Sequence, residues 1–343
     1  MQDSNELARY GRQMLFSALG ERGQRRLLEA RVVVIGCGAT GSVIANHLAR
    51  AGVGYLRVVD RDFVELHNLH RQALLDEDDA RQALPKAVAI ARKLRQINSQ
   101  IAVEDIVADV HPGNVLGLIQ DVDLVMDGTD NMETRYLIND ACLHLGKPWI
   151  YTGVVASYGM TMTILPHETA CLRCVMPEPP GSGTLATCDT AGVLGPTVAV
   201  VASMAAGEAL KWLADMGSMN RGLLYFDLME SRLERFATGD PRSDCPACGR
   251  GEYAFLNAQV GTRSITLCGR EAVQISTSGE LSLELEQLAR TLKGVGRVRV
   301  TPYLLQAEVD GRQLTIFPDG RVIIKGVDDP AIARALYARY IGH

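Results

Sequence analysis

The chain has 343 residues, of which 47% are hydrophobic and 22% charged, and it carries a formal charge of −5. It is long enough for two domains, and without a block of like charge it argues against nucleic acid or a membrane surface as the main partner. Residues 1–6 are polar and acidic, unlike a secretory leader, so a cytoplasmic location is expected.

In chain order, an N-terminal helical arm is expected over 1–30. From Arg31 to about Val155, apolar runs at 32–35, 56–59, 101–107, 122–126 and 149–155 alternate with amphipathic stretches near 40–50, 85–97 and 132–145. Such alternation predicts a doubly wound, Rossmann-like α/β fold with a mostly parallel sheet. The apolar–polar alternation at 160–165 predicts an antiparallel extension. Residues 177–184, rich in Pro, Gly and Ser, read as a mobile crossing connection. The uncharged segment 190–207 holds too many small and polar residues for a membrane span, and reads as a buried helix at a subunit contact. A helix over about 197–213 and a strand at 223–228 follow, and the first domain closes near residue 250. Residues 252–343 form a small α+β domain, with an apolar run at 264–275, a helix at 281–292, strands near 295–309 and 313–324, and a closing helix at 330–340. No catalytic constellation is visible there.

The first strand runs into Gly36-Cys37-Gly38-Ala39-Thr40-Gly41. A Gly-x-Gly-x-x-Gly turn between strand and helix lets a phosphate approach the backbone, and the helix's first N–H groups and dipole attract it. The next strand ends in Asp60, an acid suited to the ribose of either NAD or ATP. Downstream come Asp62, Asn68, Arg71, Gln72 and Lys86, then Asp127-Gly128-Thr129-Asp130-Asn131. Together with Arg9-Tyr10-Gly11-Arg12-Gln13, these motifs resemble, over about residues 6–250, the ThiF/MoeB/HesA group of ubiquitin-activating-enzyme-like adenylyltransferases.

The resemblance implies that Asp60 holds the ribose of ATP, that Arg71 and Lys86 hold its phosphates, and that Asp130 holds Mg2+. Asp62, Asn68, Gln72 and Asn131 complete the nucleotide site, and Arg12 reaches into the partner's site in a homodimer with composite centres. The set suits carboxylate adenylation because pyrophosphate leaves as an anion and needs cations, whereas a carboxylate nucleophile is already ionised. The implied substrate is the C-terminal glycine carboxylate of a ubiquitin-like sulfur carrier, ThiS-like in thiamine thiazole synthesis or MoaD-like in molybdopterin synthesis, with a cysteine desulfurase as sulfur donor. Taken singly, the residues allow blander readings. The glycine turn fits nicotinamide-dependent oxidoreductases, Lys86 fits a solvated helix face, and Arg71 fits an ion pair with Asp62.

Eight cysteines are present, four of them as Cys171-x-x-Cys174 and Cys245-x-x-Cys248. Two such knuckles supply the four thiolates of a closed, structural zinc site, and both match the family's zinc cysteines. Cys188 follows the crossing connection and matches a cysteine implicated, in ThiF-like proteins, in a covalent link to the carrier during sulfur transfer. Cys37 and Cys142 read as small buried residues, and Cys268 has no assigned role.

Overall fold

The structure is a computed structural model that describes residues 7–179, 188–217, 219–258, 263–267, 272–276 and 283–341. It divides into two units, 1–258 and 259–343.

The first unit is built on β1 (Arg31–Ile35), β2 (Tyr55–Asp60), β3 (Ala102–Val107), β4 (Leu124–Asp127), β5 (Trp149–Val155), β6 (Tyr158–Ile164), β7 (Leu223–Asp227) and β8 (Arg232–Phe236). They form one sheet in the order β3-β2-β1-β4-β5-β6-β7-β8. The first five pair in parallel and the last three antiparallel. The central strands are nearly continuous apolar runs because helices cover both faces. The five helices of ten residues or more among the described residues of this unit are α1 (Gly20–Glu29), α2 (Ala39–Ala51), α3 (Lys86–Ile97), α4 (Met132–Leu145) and α5 (Gly195–Ala214). Chain reversal between β1 and β4 opens a crevice at the strands' carboxyl ends, where α/β sheets bind ligands. There the turns after β1, β2 and β4 converge, held by N–H bonds from Gly36 to Val59 O (2.8 Å) and from Gly128 to Ile35 O (2.7 Å).

Helix α5 is the one described helix long and apolar enough to cross a membrane. It packs instead on α2 and on β5 and β6, with Thr197, Val198, Val201, Ala202, Ala205 and Ala209 buried. The N-terminal arm is tied down by Tyr10, whose buried hydroxyl accepts from Asn98 (2.8 Å), and by Gln13, which donates to Gln24 and to Ala51 O. On the same arm Arg12 is exposed, next to Leu15 and Phe16 at 83% and 59% exposure.

The second unit is a six-stranded antiparallel sheet in the order β11-β12-β13-β14-β10-β9. Its strands are β9 (Arg263–Leu267), β10 (Ala272–Ser276), β11 (Arg297–Val300), β12 (Leu305–Val309), β13 (Arg312–Ile316) and β14 (Val322–Lys325). Helices α6 (Leu285–Leu292) and α7 (Pro330–Tyr340) complete its core with Val273, Leu305, Leu314, Ile316, Val322 and Ile324. The apolar run at 264–275 supplies two strands that pair antiparallel, and Cys268 lies outside the described residues, as do residues 180–184 of the crossing connection.

Candidate active site

The glycine turn is shaped by crowding. A Cβ on Gly41 would run into the carbonyl oxygen of Gly36, so the first turn of α2 fits against β1 only without a side chain there. Gly38 is different, because a Cβ there would meet only Gln72 Nε2, at 3.8 Å, and would point into open space. Space of this kind beside a helix N-terminus suits an anion. Gly38→Ala is therefore expected to leave the thermal transition within a degree or two and to weaken nucleotide binding at least tenfold, whereas Gly41→Ala should lose the fold. Calorimetric titration with ATP beside a melting curve separates the two.

Asp60 closes β2 and anchors the turn. Its carboxylate accepts the N–H of Cys37 (2.6 Å) through Oδ2 and that of Asp62 (2.7 Å) through Oδ1. Burial pushes this carboxyl up from its usual range, while the charge of Lys86 pulls it back. Lys86 opens α3 at 4% exposure, and its Nζ lies 3.1 Å from Asp62 Oδ2, with its own N–H donating to Asp62 O (2.8 Å). It is therefore a buried cation rather than a solvated helix residue. Asp62 pairs with Lys86, and Arg71 is turned to other partners: it donates to Asn68 Oδ1 (3.3 Å) and His67 O (3.2 Å).

Asn68 and Gln72 are 1% and 2% exposed, yet Asn68 Nδ2 and Gln72 Oε1 have no hydrogen-bond partner. A buried amide left unsatisfied costs about 1–3 kcal/mol. Gln72, whose N–H donates to Asn68 O (3.2 Å), brings this pair up to the glycine turn, its Nε2 3.8 Å from where a Cβ of Gly38 would stand.

The turn after β4 is latched by an ion pair that its motif does not announce. Asp127, fully buried, accepts from Thr129 N (2.9 Å) and Thr129 Oγ1 (2.7 Å) on one oxygen, and from Arg135 Nε (3.0 Å) and Thr152 N (3.2 Å) on the other. Arg135 also donates to Thr129 O (2.6 Å) and Thr152 O (2.8 Å). Asn131 caps α4 by accepting from Thr134 N (2.8 Å), which leaves Asp130 exposed at the crest of the turn. Arg61, between the two acids of Asp60-x-Asp62, donates to Asp109 (3.0 Å). Burial works against its charge, and Asp109, Asp62 and Asp130 outweigh it, raising its pKa. Arg61 and Arg135 are the site residues that motif reading missed. The signal for Arg135 is a lone cation one turn into an otherwise buried helix.

The four knuckle cysteines converge with all sulfurs within 4.8 Å of one another. Separations of 3.8 Å (Cys171–Cys174), 3.7 Å (Cys171–Cys245) and 3.3 Å (Cys174–Cys248) lie far beyond a disulfide's ~2.0 Å and near the ~3.8 Å edge of a tetrahedron with 2.3 Å metal–sulfur bonds. Without a cation, burial and the neighbouring thiols push Cys171 up, and burial with Cys174 pushes Cys248 up to about 12. The set is chemically that of a metal centre. Cys37 and Cys142 are buried, as their small apolar reading expects. Cys188 begins the short helix Cys188–Ala191, but its side chain lies outside the described residues.

A doubly wound sheet that brings a glycine turn and a buried lysine–aspartate pair together at its strand ends, in a unit that also holds a four-cysteine cluster, defines a nucleotide-binding α/β enzyme. Residues 10–247 match the ThiF family, and the chain belongs to it. It is 42% identical, over 97% of its length and 99% of the relative's, to the sulfur carrier protein ThiS adenylyltransferase of Bacillus subtilis. It is 38% identical to the adenylyltransferase and sulfurtransferase MOCS3 of Xenopus laevis, over 73% of this chain and 56% of that one. Among solved structures, E. coli MccB shares the fold, with a TM-score of 0.63 and 24% identity over 71% of this chain and 74% of its own.

Proposed function

We infer that this chain is an ATP-dependent adenylyltransferase that activates the C-terminal glycine carboxylate of a ubiquitin-like, ThiS-like sulfur carrier and releases pyrophosphate, in preparation for thiocarboxylate formation in thiamine thiazole biosynthesis. The observation that carries this reading is the buried Lys86, paired with Asp62 and close enough to Asp60 for its charge to hold that carboxyl down, at a glycine turn that Gln72 also borders. A triphosphate needs such a cation more than a dinucleotide does.

ATP enters with its phosphates along the glycine turn, Lys86 and Arg71, and with its ribose toward Asp60. Asp130 would hold Mg2+, which would supply charge neutralisation to the phosphates. The carrier's carboxylate, ionised at neutral pH, forms a bond to the α-phosphorus as the bond to the β-phosphate oxygen breaks; the electron pair leaves with pyrophosphate. This chain's residues position and screen rather than transfer protons, so no general base is required. The four cysteines would hold a structural Zn2+, since four thiolates make a closed ligand set with no position for water.

The ThiS-like carrier is favoured over a MoaD-like one because similarity to the B. subtilis relative covers 97% of this chain and 99% of the relative, while similarity to MOCS3 covers 73% of this chain and 56% of that one. ATP–pyrophosphate exchange with each carrier tests the reading. Exchange should depend on a carrier ending in glycine and run faster with the ThiS-like protein; a faster rate with the MoaD-like protein would reassign the pathway, and no exchange with either would defeat the proposal.

Arg12, exposed beside Leu15 and Phe16, fits an arm that completes a second protomer's site in a homodimer. Mixing Arg12→Ala with Asp130→Ala protein should restore exchange to about a quarter of the wild-type rate, because random pairing makes half the dimers mixed, each with one intact centre. A mixture no more active than its parents would show that sites are not shared. A cysteine desulfurase as sulfur donor, and Cys188 as the residue that links to the carrier, belong to the later sulfur-transfer step. Cys188→Ala should leave pyrophosphate exchange intact.

A further inference from the structure

Helix α4 touches two places that the reaction scheme treats as separate. Its first turn holds the Asp127–Asn131 turn through Asn131 and Arg135. From the next turn onward it holds the metal centre. Tyr136 donates its hydroxyl to Met176 O (2.9 Å), just past the first knuckle, and its ring lies 4.9 Å from that of Phe255. Asn139 Oδ1 accepts the N–H of Leu172 (3.0 Å), the residue inside Cys171-x-x-Cys174, and Asp140 Oδ2 accepts the N–H of Phe255 (2.9 Å), in the segment following Cys245-x-x-Cys248. Asn139 and Asp140 are both fully buried. At a rise of ~1.5 Å per residue, only about 6–8 Å of helix axis separates Arg135 from this pair. The α4 backbone is a stiff strut over that distance, so a shift of the knuckles is carried to the turn rather than absorbed.

We propose that Asn139 and Asp140 are positioning residues through which the four-cysteine centre sets the placement of Asp130: α4 is a strut whose far end the metal fixes and whose near end presents the nucleotide turn. The inference rests on the reading that the cysteines hold zinc and the turn serves Mg2+ and ATP. Hydrogen bonds that orient the segments bearing metal ligands commonly tune metal retention. Here they also serve the second site. The metal's contribution is then felt in the reaction, although no ligand position is open for chemistry.

The test has two arms on the full-length protein. In the first, Asn139→Leu removes the acceptor for Leu172 N–H at similar volume. Asn139→Leu should lose zinc to a chelator at least tenfold faster than wild type, and should need at least threefold more Mg2+ for half-maximal ATP binding. Faster zinc loss with unchanged Mg2+ dependence would overturn the coupling. The second arm needs no variant and holds even if Asn139→Leu does not fold. Wild-type protein is stripped of zinc, and amide hydrogen exchange is read segment by segment. Faster exchange at the knuckles and at residues 128–134, with β1–β3 unchanged, is the expected result. Unchanged exchange at 128–134, or equal acceleration throughout the sheet, would overturn the strut. Wild-type protein that carries no metal as purified would overturn this inference together with the zinc assignment, whereas metal-loaded protein with an unresponsive turn would overturn the inference alone.

Discussion

Lys86→Met should lower ATP–pyrophosphate exchange by two to three orders of magnitude while leaving the protein folded. The size follows from what the lysine faces. Removing one preorganised charge-stabilising donor typically costs about 3–4 kcal/mol of transition-state stabilisation, and each factor of ten in rate corresponds to about 1.4 kcal/mol. Here the loss is compounded, because Lys86 Nζ, 3.1 Å from Asp62 Oδ2, also screens Asp62 and Asp60 from the incoming phosphates. Without it two carboxylates meet a polyanion. A pH signature accompanies the loss. Burial already raises Asp60 and Lys86 holds it down, so the methionine variant should take up a proton on Asp60 at higher pH than wild type. Nucleotide binding that needs the ionised Asp60 is lost as pH falls through that pKa, and the acid limb of the residual exchange therefore moves to higher pH. Measuring exchange against pH at ATP both saturating and well below saturation checks both statements, the acid limb of the free enzyme being read at low ATP. A rate within fivefold of wild type, with an unmoved acid limb, would remove Lys86 from the phosphate site.

Much of this site was legible from spacing, because a strand, a tight turn and a helix N-terminus must follow one another in sequence to present backbone N–H groups to an anion. The observed β1, β2 and β4, and helices α2, α3 and α4, fall within a few residues of where the apolar runs and amphipathic stretches place them. What spacing does not carry is which charged side chains meet. Arg71 and Lys86 are equally plausible partners for Asp62 along the chain, and only the β2–α3 crossover brings Lys86 to it. Arg135 meets Asp127 from the first turn of α4, while the backbone groups it also serves, at Thr152, come from β5. The edge strand β8 escaped notice for a related reason. Its residues Arg232, Leu233, Arg235 and Phe236 are exposed, so they lack the one-sided burial that produces a period of two. In the second unit, hairpin turns divide what reads as continuous apolar sequence. Cross-strand register such as Gln274 to Ile323 and Thr315 to Ile323 is a property of the closed sheet and is invisible in any single segment.

The ion pair beneath the Asp130 turn should prove the most costly pair of residues to separate. Asp127→Ala leaves the Arg135 guanidinium, 8% exposed, without its counter-charge. Breaking a buried pair by removing one partner typically costs about 3–5 kcal/mol. Arg135→Met leaves Asp127 equally stranded. Many buried pairs can be replaced together by apolar residues at little cost, but this one cannot. Between them the two side chains also satisfy Thr129 N, Thr129 O, Thr152 N and Thr152 O. Removing both leaves those four backbone groups to find water in the interior. The double variant is therefore expected to be about as unstable as either single one, giving a coupling energy of about 3 kcal/mol in a double-mutant cycle. Both tryptophans, Trp149 and Trp212, lie in the first unit, so urea unfolding followed by their fluorescence reads that unit's stability without interference from the second. Singles losing less than 1 kcal/mol, or a double variant whose loss is the plain sum of the two, would mean that the turn is held by its backbone alone. Mg2+-dependent ATP binding by whichever variant remains folded supplies the functional half. With the latch gone Asp130 no longer has a fixed platform, and the Mg2+ requirement should rise even where the fluorescence of the folded state is unchanged.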